Sequence, residues 1–420
     1  MADLLADRLS SPDQVTMNTG LVGAPSSVHL NWSPVSLARG YPGIALLFIG
    51  RAHRDSGSMA IAHQYLQRSV DALREKRAVD FGLMGDLCGL AFSLEMARRL
   101  TGGYQKALKT LDREICARAT AMCDWIAAEP SGEVWRFDVI SGLAGVGRYM
   151  LLRADELAED LHGILRCLVR MSEDLNSHRP SFWSPSPPSY STSDQDLLAR
   201  GHLNLGLAHG IAGPLSLFAL ARAAGHEVPG QLDAAERIVC LYSEITLCDE
   251  FGSFWPRYFS RDQWERRTPV AARTHASWCY GVPGTARALQ IAAQNFARDD
   301  WRDLALDATT GLIGSPVSSW HITDNGLCHG WAGALHLTGL LMQDGSVSGA
   351  RKLQETIAEI LVETFEERFP FGFRSQVVNH SEGADYPGFL EGSAGIAIAL
   401  ESYANPAEEA IPWDAALLVR

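Results

Sequence analysis

The chain is 420 residues long, 46 % apolar and 20 % charged, with a formal net charge of −13. The apolar share suffices for a large core, while the acidic surplus excludes a general binder of nucleic acid or of anionic membranes, because no basic excess exists to neutralise phosphates. The opening Met1-Ala-Asp-Leu-Leu-Ala-Asp-Arg8 carries acids in place of the apolar core of a secretory signal, and no apolar run reaches the length of a spanning helix, so a cytoplasmic protein without a transmembrane segment is expected.

In chain order, one phrase keeps returning: a Gly, two residues, a second Gly, then an apolar helical stretch. It begins with Gly40-Tyr-Pro-Gly43 ahead of Ile44–Phe48, and an amphipathic helix is predicted over Ala60–Arg74. A looser copy with one extra residue is Gly85-Asp-Leu-Cys-Gly89, followed by an amphipathic stretch over Ala107–Ala127. Gly142-Leu-Ala-Gly145 comes next. Arg179–Ser193 is rich in Pro, Ser and aromatic residues and is predicted to be non-helical. Gly210-Ile-Ala-Gly213 leads into the almost wholly apolar Pro214–Leu220. A second stretch of poor helix material, Phe251–Thr274, carries Trp255-Pro256, Tyr258, Phe259 and Trp264. Both irregular stretches suit lids or peptide contacts as well as ordinary surface loops. The last copies are Gly281-Val-Pro-Gly284, Gly330-Trp-Ala-Gly333 and, after an amphipathic Arg351–Phe369, Gly392-Ser-Ala-Gly395 before Ile396–Leu400.

Seven copies at intervals of roughly 45 to 70 residues read as a repeat of helical hairpins. The helix after each second Gly is apolar around most of its circumference and belongs inside; the amphipathic helix between copies belongs outside. The first and last copies are as apolar as the middle ones, so the array is expected to close on itself. The predicted fold is all-α: an α/α toroid, a double ring of about seven inner and seven outer helices forming a single domain over residues 1–420, with irregular insertions near 179–200 and 250–276. The glycines are expected to supply positive φ and close backbone approach at the turns. Gathered at one end of the barrel, the inner-helix N-termini would favour negative charge there.

The chemistry concentrates at these turns. Cys279 stands two residues ahead of Gly281, and Cys328 two residues ahead of Gly330 with His329 between. Two thiolates and an imidazole are ligand types that zinc selects, and three protein ligands leave a tetrahedral position open, as in catalytic sites. Tyr280 and His209 share the offset of His329, immediately before a Gly, and should face the same mouth. Asp138, in Phe137-Asp-Val-Ile-Ser-Gly-Leu-Ala-Gly145, is placed either to orient an imidazole or to cap the following helix. The remaining cysteines, Cys88, Cys116, Cys123, Cys167, Cys240 and Cys248, show no local pairing pattern and are expected to be buried structural thiols.

Trp278-Cys-Tyr-Gly281, Cys328-His-Gly330, Leu207-Ala-His-Gly-Ile-Ala-Gly-Pro-Leu215 and the Asp138 phrase resemble the lanthionine synthetase C family, the cyclases of lanthipeptide biosynthesis, and matching motifs run from Gly40 to Gly395. The resemblance implies an α/α toroid with one zinc ion per chain held by Cys279, Cys328 and His329, and with Asp138, His209 and Tyr280 lining the site. It implies Michael-type addition of peptide cysteines to dehydroalanine or dehydrobutyrine in a dehydrated precursor peptide carrying a leader, in company with the pathway's dehydratase and exporter, which would allow peripheral association with a membrane. Family members often carry an arginine a few residues before the Trp-Cys-Tyr-Gly. Here Arg273 stands farther upstream, and His275 is the other candidate for its place. Within that reading His209, oriented by Asp138, is the general acid and base. Tyr280 either donates to the enolate oxygen or packs beside the ligand. A sugar hydrolase would require a carboxylate pair, and a thiol-alkylating prenyltransferase would require basic residues for a diphosphate; neither appears at the turns. A non-catalytic, zinc-containing peptide-binding scaffold of the same fold is the remaining alternative.

Overall fold

The structure is a computed structural model describing residues 1–21, 32–175, 177, 180–188, 194–345, 350–377, 380–406 and 410–420. Within the irregular stretch predicted over Arg179–Ser193, Arg179 and residues 189–193 therefore lie outside the described residues. Sixteen α-helices dominate the described residues, with eight short strands: β1 (Gly20–Leu21), β2 (Trp183–Ser184), β3 (His202–Asn204), β4 (Leu247–Asp249), β5 (Gly252–Phe254), β6 (Tyr258–Ser260), β7 (Ser375–Val377) and β8 (His380–Asp385).

The helices alternate as the hydrophobic pattern dictates. Every residue of Tyr41–Ile49, Leu87–Ala97, Leu143–Leu151 and Ser393–Leu400 is buried. Their partners bury one face only; Ser58–Glu75 buries Ala62, Tyr65, Leu66 and Ser69, spaced i, i+3, i+4, i+7. The predicted helix over Arg351–Phe369 stops at Glu363. Beyond it Phe369, Phe371 and Phe373 all turn into the core, which a continuing helix would not allow, and Gly372 at φ +81° makes the bend.

By packing, the chain divides into two compact units. One comprises Met1–Arg113, Ile322–Met342 and Ser348–Trp413, and holds the turns at Gly40, Gly85, Gly330 and Gly392. Backbone hydrogen bonds string these turns together: Cys328 N–H to Leu390 O (2.9 Å), Phe389 N–H to Ala38 O (2.9 Å) and Leu37 N–H to Gly85 O (3.1 Å). The first and last repeats are thus neighbours, as closure of the array requires. Arg51 and Arg54 from the first repeat both pair with Glu401 of the last, and the sheet β1-β8-β7 joins residues 20–21 to 380–385.

The other unit comprises Glu114–His321, Gln343–Val347 and Asp414–Arg420, with the turns at Gly142, Gly210 and Gly281. The same kind of ladder runs through it: Val139 N–H to Ala208 O (3.0 Å) and Leu207 N–H to Cys279 O (3.1 Å). The two irregular stretches meet here in one sheet of order β2-β3-β6, and β4-β5 forms a separate hairpin. Phe182, Trp183, Trp255, Phe259 and Trp264 are buried, so these stretches are packed structure; the second also carries a short helix, Arg261–Arg266, opened by a Ser260/Gln263 capping box. Residues 414–420 are tied in by three side-chain donors: Trp278 Nε1 to Leu417 O (2.9 Å), Arg287 Nε to Val419 O (2.8 Å) and Arg148 Nη2 to Arg420 O (2.7 Å).

Two expectations change. Positive φ is needed at Gly281 (+90°) but not at Gly40, Gly142 or Gly392, whose φ values lie between −105° and −120°. What those turns need is closeness: a Cβ on Gly40 would lie 2.1 Å from Ser33 O, one on Gly142 2.3 Å from Asp138 N and one on Gly392 2.3 Å from Gly388 N. Nor are the six other cysteines uniformly buried. Cys88 and Cys167 are, Cys116 and Cys123 are half-buried, and Cys240 and Cys248 are exposed, on the outer face of Gln231–Glu244 and on the β4 hairpin.

Candidate metal centre

Each predicted ligand is set by a turn. Cys279 lies between Trp278 and the helix Val282–Phe296; its carbonyl accepts Leu207 N–H, and its Sγ lies 3.4 Å from Ser277 Oγ. Ser277 Oγ also donates to Tyr280 O (2.7 Å) and accepts Tyr280 N–H (3.2 Å), closing the turn on itself. Cys328 and His329 precede the helix Trp331–Gly345, in a turn organised by Asp324, whose Oδ1 accepts Gly326 N–H at 2.8 Å. Cys279 is buried, and Cys328 and His329 are half-buried. One ligand atom from each of Cys279, Cys328 and His329 lies within 4.8 Å of the others, a group that could hold a metal ion.

His209 and Asp138 meet as expected. His209 Nδ1–H donates to Asp138 Oδ2 at 2.6 Å, while Asp138 Oδ1 accepts the N–H groups of Ser141 (2.8 Å) and Gly142 (2.9 Å). Asp138 does not cap the helix Leu143–Leu152, whose N-cap Gly142 has no side-chain cap; one of its oxygens ties the turn ahead of that helix and the other holds the ring. The Asp138 side chain is 1 % exposed and that of His209 24 %. Burial favours a neutral His209 ring, but the Asp138 hydrogen bond and charge, joined by the charge of Cys279, outweigh it and raise the imidazole above its ordinary value.

Tyr280 is 5 % exposed, and its hydroxyl accepts from Asn204 Nδ2 at 2.9 Å, with Tyr258 Oη 3.4 Å away and the two rings in an edge contact at 5.5 Å. Asn204 sits six residues before Gly210, inside a phrase already singled out, whereas Tyr258 comes from β6 with no sequence signal tying it to the site. Two further residues were missed although they obey the offset of His209 and His329: Arg39 and Glu391 each directly precede their Gly, and they form a bidentate pair at 2.8 and 2.9 Å. Burial disfavours the Arg39 cation, yet Glu391, Tyr386 and Cys328 together hold it above its ordinary range. Arg273 is committed elsewhere: it clasps Asp249 through two bonds (2.8 and 2.7 Å), donates to Gly252 O and stacks on Phe254.

Comparison with known proteins bears on all of this. The profile of the family described as "Lanthionine synthetase C-like protein" matches residues 31–418. The chain belongs to the lanthionine synthetase C-like family. Nisin biosynthesis protein NisC of Lactococcus lactis subsp. lactis is 23 % identical over 380 residues, which cover 89 % of this chain and 87 % of NisC. A solved structure of nisin cyclase superposes with a TM-score of 0.79 at 23 % identity, covering 93 % of each chain. At that identity the superposition establishes the fold, and the fold of this family member is the α/α toroid expected from its repeats. No helix among the described residues is long and apolar enough to cross a membrane.

Proposed function

We propose that this chain is a zinc-dependent lanthipeptide cyclase that adds peptide cysteine thiols to dehydroalanine or dehydrobutyrine, forming lanthionine and methyllanthionine rings. The substrate would be a dehydrated precursor peptide with its leader, delivered in the cytoplasm by a dehydratase and passed on to an exporter, with residues 1–420 acting as one catalytic domain. The observation that carries the reading is the Cys279–Cys328–His329 group in a chain of this family. Around a tetrahedral zinc with 2.3 Å bonds to sulfur, two sulfurs stand about 3.8 Å apart, so ligand atoms within 4.8 Å of one another need close in only slightly. Two thiolates and one imidazole also leave the fourth position for a substrate sulfur.

A free cysteine, with a pKa of about 8.5, is mostly protonated at neutral pH. A zinc ion held by the three ligands would supply the Lewis acidity that keeps an incoming thiol deprotonated. His209 does the proton work. With Nδ1–H committed to Asp138, Nε2 is the nitrogen that takes the thiol proton and later returns a proton to the substrate α-carbon. Between those steps the new C–S bond leaves negative charge on the substrate carbonyl oxygen; Tyr280, its hydroxyl oriented by Asn204, is assigned as hydrogen-bond donor to that oxygen.

The test is incubation with a dehydrated peptide, followed by thiol alkylation and mass spectrometry. Ring closure leaves mass unchanged, so the loss of alkylatable thiols reports it. Loss of thiols by the wild-type protein, together with about one zinc per chain, supports the proposal. Zinc at that level with all peptide thiols still alkylatable would instead identify a peptide-binding scaffold.

A further inference from the structure

The sheet of order β2-β3-β6 brings three polar side chains to one face. In the antiparallel pair β3 and β6, Asn204 stands opposite Tyr258 and His202 opposite Ser260. Residues directly opposite share a face, as do residues two apart on one strand, so His202, Asn204 and Tyr258 lie on the same side. All three are buried, and the His202 ring meets the Tyr258 ring edge-on at 5.0 Å. Tyr280 packs against that side, its ring in edge contact with Tyr258 at 5.5 Å and its hydroxyl accepting Asn204 Nδ2 at 2.9 Å. The Asn204 amide has only this orientation open to it, because its Oδ1 accepts Gly206 N–H at 3.1 Å. Gly206 also supports the Tyr280 ring: a Cβ there would lie 2.6 Å from ring carbons and 2.3 Å from Cys279 O. The two phenols are therefore built into the seam between the turn of Cys279 and the turn that carries His209 three residues after Gly206.

The spacing of the hydroxyls decides what they can do. Tyr258 Oη and Tyr280 Oη are 3.4 Å apart, beyond the usual O–H···O range of about 2.5–3.0 Å, so neither holds the other firmly. Two donors that far apart, each about 2.7 Å from a shared acceptor, subtend about 80° at it, so both reach one oxygen. Asn204 occupies one lone pair of the Tyr280 oxygen and so directs the hydroxyl hydrogen elsewhere. Both phenols are buried, and a hydrogen bond to developing charge is strongest where water is scarce.

We propose that Tyr258 is a further catalytic residue, whose hydroxyl joins that of Tyr280 in donating to the substrate carbonyl oxygen as negative charge builds there. The inference deepens the cyclase reading and rests on it. As the peptide sulfur bonds to the β-carbon, the electron pair of the carbon–carbon double bond moves towards the α-carbon and the carbonyl oxygen. That oxygen accepts both hydroxyl hydrogens, and neither phenol gives up its proton. Protonation of the α-carbon from His209 Nε2 then restores the carbonyl, and the charge at the two donors disappears. Because sheet pairing, the Asn204 amide and the Gly206 contact hold both rings beforehand, the donors are in place without rearrangement at the moment of reaction.

The experiment follows thiol loss on a dehydrated peptide with zinc-loaded, full-length protein. Tyr258→Phe keeps the ring and removes the hydroxyl, so kcat should fall about 10²–10³-fold while KM, zinc content and melting temperature stay at wild-type values. In a Tyr280→Phe background the same change should lower kcat again. A residue that merely steadied Tyr280 would have no further effect there, and that outcome overturns the proposal, as does a fall that tracks zinc loss. Wild-type protein that leaves every peptide thiol alkylatable overturns the cyclase reading and this inference with it; an active wild type matched by Tyr258→Phe overturns the inference alone. A binding measurement supplies a second readout. 3-Mercaptopropionate carries the S–C–C–C–O skeleton of the adduct with full negative charge at its oxygens. It should compete with the peptide at least about tenfold more tightly than propane-1-thiol, and Tyr258→Phe should erase about a tenfold part of its affinity. Equal competition by the two thiols in the wild type overturns the proposal even where the variant fails to fold.

Discussion

Replacing Asp138 by Asn tests the proton-transfer assignment with little disturbance to the fold. The substitution retains an oxygen for the N–H groups of Ser141 and Gly142 but removes the negative charge 2.6 Å from His209 Nδ1. With Asp138 1 % exposed, water does not screen that contact. A hydrogen bond to a charged group is worth about 1.5–3 kcal/mol. If the imidazolium forms on the way to the transition state, its loss slows cyclisation by roughly 10- to 150-fold. Removing the acid altogether, as in His209→Asn, should cost about 10²–10⁴-fold. The double variant should be no slower than His209→Asn alone, because Asp138 acts through the ring. The assay is the time course of thiol loss on a dehydrated peptide, with zinc per chain and melting temperature measured on the same preparations. A wild-type rate for Asp138→Asn, or a rate that falls only in step with zinc, would refute the assignment.

Cys328→Ala should lose both zinc and cyclisation; zinc retained at full occupancy, read by metal analysis, would remove Cys328 from the ligand set. Trp278→Phe leaves Leu417 O without its buried donor and should lower unfolding stability by about 1–3 kcal/mol in a denaturant titration; an unchanged midpoint would show that the Trp278–Leu417 hydrogen bond contributes nothing. His202, buried with neither ring nitrogen hydrogen-bonded, has its pKa pushed down to about 4 by burial. A folded-state value below the unfolded ~6.5 means that stability is fully present above about pH 6.5 and is lost progressively as pH falls to 4, up to about 3 kcal/mol. In His202→Phe that fall should flatten, and an unchanged pH slope between 6.5 and 4 would exclude His202 as its source. Gly333→Ala should reduce zinc occupancy, although alanine is the better helix former, because its Cβ would meet Leu327 O in the turn carrying Cys328.

What the sequence made legible at this site traces to one repeated backbone geometry. Within each unit the Gly turns hydrogen-bond to one another, Val139 to Ala208, Leu207 to Cys279, Cys328 to Leu390 and Phe389 to Ala38, through residues two and three places before the Gly, so the offset of Cys279 and Cys328 is one that the ladder holds fixed, and His209 and His329 stand one place beyond it. The toroid was readable for the same reason: apolar helices recurring after each turn have only one another to pack against. What stayed hidden depends on pairing that periodicity does not encode. Tyr258 reaches Tyr280 because β6 pairs with β3, and Arg273 is drawn to Asp249 by the β4-β5 hairpin. Arg39 and Glu391 are the instructive middle case. They carry the site's own offset and were passed over because an ion pair is not a ligand set, yet they join the first repeat to the last one place ahead of the glycines that start both helices. A rule built on backbone position would have found them where a rule built on chemistry did not.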